Sequence, residues 1–127
     1  MRALLALMLL TGTAHAGCND KLLAFGEWSV VPLGYDQVQM SVAFKSNADK
    51  PITMINAKAG YVDALGHPVV SFHLDKDVEI PAGGTYAEVK NYDRGPFERM
   101  LILKHAEVAT FVCVEGVLYG DGTKQAF

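Results

Sequence analysis

Three carboxylates, Asp75, Asp77 and Glu79, alternate along the chain, so on an extended backbone they share one face. Such a row could gather a calcium ion, which takes several oxygen ligands. Lys76 interrupts the row, and no glycine-containing calcium loop accompanies it. A solvated sheet edge that discourages aggregation is the simpler reading. Gly120-Asp-Gly-Thr123 brings a further carboxylate, but Asp-Gly is first of all a turn dipeptide. His67, His73 and His105, with Met40, Met54 and Met100, supply the nitrogen and sulfur ligands that copper prefers. No tight His-x-Met pair occurs among them, and Met40 falls on an apolar face where packing is the default role. A nucleophile needs a base and an orienting group within reach. No serine lies in a Gly-x-Ser-x-Gly turn. The residues therefore read as non-catalytic, with no cofactor and no resident metal. A small copper or calcium carrier and an enzyme of unrecognised type are the alternatives.

Cys18 and Cys113 are the two cysteines. In an oxidising compartment an even count predicts a disulfide. A metal site would need about four convergent ligands, and the histidines show no such spacing with either cysteine. Tyr86, Tyr92, Arg94, Pro96, Phe97 and Arg99 crowd one turn-rich stretch. Aromatic and arginine side chains are enriched at protein interfaces. Tyr92, Arg94, Phe97 and Arg99 are thus the candidate interaction patch, provided Phe97 is exposed rather than folded onto the core.

The elements that position these residues begin with an export signal. Arg2 is followed by the apolar run from Ala3 to Leu10, by Thr11-Gly12-Thr13, and by Ala14-His15-Ala16 before the expected cleavage. The apolar run is about half the ~20 residues of a spanning helix, so residues 1–16 read as a cleaved signal peptide and not as a transmembrane anchor. Lipidation of Cys18 is not expected, because no leucine occupies the third preceding position. A periplasmic or secreted location follows. The net charge of −3 becomes −4 once Arg2 is removed. An acidic surface repels phosphate and anionic lipid, so the expected partner is another envelope protein or envelope component, with no nucleic acid.

Residues 17–127 read as one all-β domain. Gln37 to Lys45 alternates, with Val38, Met40, Val42 and Phe44 on one face. Further strands are expected over 52–65, 67–74, 75–80, 86–92, 100–105 and 109–119, with turn residues between them. Asn19 to Ala24 is the best candidate for a single helical turn, capped by Asn19 or Asp20. About seven strands of uneven length favour a sandwich over a barrel, with Trp28 available as a core plug.

Ser46-Asn-Ala-Asp-Lys-Pro-Ile52, Ala59-Gly-Tyr-Val-Asp-Ala-Leu-Gly66 and Val78-Glu-Ile-Pro-Ala-Gly-Gly84 occur in that order. This series resembles the FxLYD-type immunoglobulin-like modules of exported bacterial proteins, over roughly residues 38–90. The strand end Gly60-Tyr61-Val62-Asp63 departs from the Leu-Tyr-Asp order. The resemblance implies an immunoglobulin-like β-sandwich, an adhesive or accessory role and no catalytic residues. Glu107-Val-Ala-Thr-Phe-Val-Cys113 is similar to the Asp-x-Ala-x-Tyr-x-Cys segment of immunoglobulin domains, but Phe111 lacks the hydroxyl of the tyrosine corner. Cys18 leaves no room for a strand before it, so the expected bridge ties the N-terminal arm to a late strand.

Overall fold

The computed structural model describes residues 17–127; the expected signal peptide lies outside them. Alternation decides the first sheet. β2 (Gln37–Ser46) buries Val38, Met40, Val42 and Phe44 and turns Gln37 and Lys45 to solvent. It is flanked by β1 (Leu23–Leu33) and β6 (Thr85–Asp93), both antiparallel to it. The second sheet is built on β3 (Ile52–Asp63), which pairs with β7 (Val108–Tyr119) on one side. On its other side run β4 (Pro68–His73) and then β5 (Asp77–Ile80). β8 (Lys124–Ala126) adds to the far edge of β7.

The two sheets close over one core in which Met40 and Phe44 from the first meet Ile52, Tyr61 and Val114 from the second. The orders β1-β2-β6 and β4-β3-β7-β8, with β5 also on β3, make a two-layer antiparallel β-sandwich. Eight strands are present among the described residues, in keeping with the expected number of about seven.

Three differences from the sequence reading have local causes. β1 escapes the pattern because its register slips between Phe25 and Trp28. A bulge inserts residues that do not alternate. The segment 100–105 is not a strand. Glu98–Leu101 and His105–Glu107 are 3-10 turns, and a four-residue helix, α1 (Arg94–Phe97), precedes them. Met100 is buried there but Ile102 is 75% exposed, so the apolar run has no sheet edge to join. The segment at Asn19 forms no helix either. The Asn19 side chain does accept the N–H groups of Lys21 and Leu22, at 2.8 and 3.0 Å, and the chain then enters β1. Trp28 is half-buried, packed on Tyr61 with ring centroids 4.9 Å apart and on His105 at 4.2 Å.

Cys18 and Cys113 form a disulfide across a sequence separation of 95. Val112 and Val114 face the core, so Cys113 lies on the outer face of its sheet with Phe111. The bridge therefore does not cross between sheets as in antibody domains. It fastens the N-terminal arm to β7, where Asn19 and Val114 also exchange two backbone hydrogen bonds of 2.8 and 2.9 Å.

Candidate functional site

The residues singled out for chemistry do not converge. Asp75 pairs with Lys90 at 2.5 Å, whereas Asp77 and Glu79 point to solvent from β5. His67 bonds to Asp63, His73 is exposed at the end of β4, and His105 stands on the Trp28 ring. Met40 and Met100 are buried and Met54 is half exposed. Among the described residues no three of His, Cys, Asp or Glu are placed to hold a metal ion. Asp121 closes its own turn instead. Hydrogen bonds from the Thr123 hydroxyl and backbone N–H, then from Lys50, hold its carboxyl well below the usual carboxylate range.

The proposed contact patch needs a correction. Phe97 is 3% exposed and stacks on Tyr92, ring centroids 5.1 Å apart, so its ring is core and not contact surface. The two arginines beside it are engaged within the fold. Arg94 pairs with Glu98 at 2.9 Å, one helical turn away. Arg99 reaches Asp63 at 3.0 Å. Asp63 also accepts the N–H groups of Leu65 and His67, both at 2.9 Å. These bonds, led by that from the His67 backbone, lower its pKa to about 2. The stretch is thus a polar clamp between the β3–β4 turn and the β6–β7 crossover.

The β5–β6 side of the sandwich carries a second polar cluster. Tyr86, Glu88, Lys90 and Tyr92 oppose the core residues Phe44, Val42, Met40 and Val38 of β2, so all four share the inward face of β6. Glu88 is buried and accepts from the Tyr86 hydroxyl at 2.7 Å and from the Asp75 N–H at 2.8 Å. Lys90 lies 3.7 Å from its other oxygen. Burial, then the neighbouring Glu88 carboxylate, pushes the Tyr86 phenol above its ordinary value. Inward charges on an edge strand discourage strand addition, and this cluster ties the β4–β5 connection to β6.

A concavity lies on the outer face of the second sheet, a groove of about 990 Å³. Its rows follow from strand register. Asp77, Met54, Leu118 and Lys124 form one row across β5, β3, β7 and β8. Asn56, Gly116 and Ala126 form another. Gly116 has no side chain, and Ala126 beside it has a small one, so the floor is hollow. A Cβ on Gly116 would find its nearest neighbour 3.6 Å away, at the Gln125 carbonyl. Lys76 rises on the β5 margin, its backbone fixed because its carbonyl accepts the Ile55 N–H at 2.9 Å. Lys76, Asp77 and Lys124 make no ion pair among the described residues. The Asn56 amide donates to Glu115 at 3.2 Å. Such a surface can hold a mainly apolar molecule and orient a polar end of it.

None of these groove residues except Met54 and Asp77 stood out as a candidate ligand in the sequence. The available signal was a lone glycine inside an otherwise apolar strand, which marks a bulge or a close approach. Nor did Glu88 stand out, although the alternation from Tyr86 to Tyr92 places it on the aromatic face. The chain matches no family model, no curated protein and no solved structure.

Proposed function

We propose that the chain is an exported, non-catalytic binding module of the cell envelope, and that its ligand lies in the groove over Gly116. The single observation that carries this reading is the hollow itself: about 990 Å³ of mostly apolar surface on four hydrogen-bonded strands. A floor of paired strands is rigid, so little ordering entropy is lost on binding. The leader-like residues 1–16 support export. The Cys18–Cys113 pair suits an oxidising compartment. Among the described residues no helix is long and apolar enough to cross a membrane. The resemblance to FxLYD-type modules points the same way, toward an accessory role.

The test is purification from the envelope fraction of the native cells, followed by intact mass and organic extraction. The mature chain should begin at Gly17 and be two hydrogens lighter than the dithiol form. Wild type should carry a stoichiometric extractable molecule that the Gly116→Trp variant lacks, since an indole obstructs the middle of the groove floor. A chain that keeps residues 1–16, or extracts that are identical for the two proteins, would overturn the reading.

A further inference from the structure

We infer that the groove over Gly116 takes an anionic amphiphile, an apolar chain ending in one negatively charged group. This rests on the binding reading above and names its ligand class. The floor supplies the apolar half: Met54 is 49% exposed, Leu118 is half-buried, and Gly116 and Ala126 leave room between and beside them. Exposed apolar surface in a concave site is the kind that an aliphatic chain covers.

The margins supply the charge. Lys76 stands at the β5 side and Lys124 at the β8 side, across four strands. At about 4.8 Å per strand the two margins lie roughly 14 Å apart. Each ammonium can therefore meet a head group while the chain runs across the floor. Asp77 is the one carboxylate in the lining, so the lining is net positive on a chain of net charge −3. Glu115, outside the lining, is engaged by the Asn56 amide. The acidic chain as a whole repels a free anion, so the net positive charge of this lining is what favours an anionic head group there. A cationic or neutral head group gains nothing from two lysines that have no partner of their own.

Calorimetric titration of the disulfide-bonded mature chain with three amphiphiles of equal chain length tests this. The probes are laurate, dodecyl maltoside and dodecyltrimethylammonium, each below its micellar concentration. Laurate should bind most tightly, with a stoichiometry of one. Lys76→Gln combined with Lys124→Gln should weaken laurate about fivefold and leave dodecyl maltoside unchanged, the size expected for exposed charges. Salt at about 0.5 M should reduce the preference for laurate, because exposed charges are screened. Gly116→Trp should abolish binding of all three, with Lys58→Gln as the control outside the lining. If all three probes bind equally and Gly116→Trp removes them, the anionic preference is wrong and the groove reading stands. If none binds, or Gly116→Trp changes nothing, both fall.

Discussion

Two glycines interrupt the same outer face, and they are treated in opposite ways. At Gly60 of β3 the gap is closed: a Cβ there would lie 2.6 Å from the Val70 carbonyl and 2.8 Å from the Phe111 ring. The phenyl ring of the neighbouring strand has taken the place of the missing side chain. At Gly116 of β7 nothing approaches within 3.6 Å, and the gap stays open to solvent. The closed half also holds the Cys18–Cys113 bridge and the Asp63 clamp. The open half is bordered by the three-residue β8 and by exposed polar contacts, among them Lys50–Asp121 at 3.0 Å and Asn56–Glu115 at 3.2 Å. Covalent fastening lies where the face is filled, and the unfilled half is free to present a surface.

The comparison breaks first at the disulfide. Replacing Cys18 and Cys113 by serine should cost about 4–5 kcal/mol on the chain-entropy model for a loop this long, read from urea unfolding of variant and wild type. A loss below about 1 kcal/mol would mean that the arm is held without the bond. Next comes Gly60→Val, which forces atoms into the Val70 carbonyl and the Phe111 ring and should cost about 1–3 kcal/mol. Phe111→Ala should cost about 1–2 kcal/mol through lost apolar burial and open a second hollow, detectable as new binding of an apolar dye. Gly116→Ala is the contrasting substitution. It should change stability by less than about 1 kcal/mol, in the stabilising direction, because a strand glycine carries an entropic cost and the site has room.

The two halves also differ in acid sensitivity. The Asp63 carboxyl is depressed to about 2 in the folded chain, so its contribution is present above the ordinary carboxylate pKa. That contribution is lost as pH falls through about 2. Asp63→Asn should therefore flatten the stability profile between about pH 4 and pH 2. Asp121 is depressed as well, but its side chain is 48% exposed and solvent screens its Lys50 pair. Asp121→Asn should flatten the same window less. Equal effects would show that the two carboxylates fasten their turns alike.

Strand alternation made much of this fold legible. β2 reads directly from Val38, Met40, Val42 and Phe44, because one face of it meets the core and the other meets water. The disulfide follows from an even cysteine count read together with the expected export signal. β1 was hidden because the bulge between Phe25 and Trp28 shifts its phase and most of its side chains are exposed. Met100-Leu-Ile-Leu103 looks like a strand by composition, yet it crosses an end of the sandwich where no edge is available. Burial of Phe97 depends on Tyr92 lying beneath it, a contact that spacing alone does not reveal. The groove was least legible. It arises from register, which sets Gly116 between Asn56 and Ala126, beside the row of Met54 and Leu118, and register is a property of paired strands rather than of any one segment.

The most direct test of the groove is nitrogen–proton correlation spectroscopy of the folded chain titrated with laurate. Saturable shifts should gather at Met54, Asn56, Lys76, Gly116, Leu118 and Lys124, with the outer face of β1, β2 and β6 unmoved. Shifts concentrated on that other face, or scattered without saturation, would contradict the account.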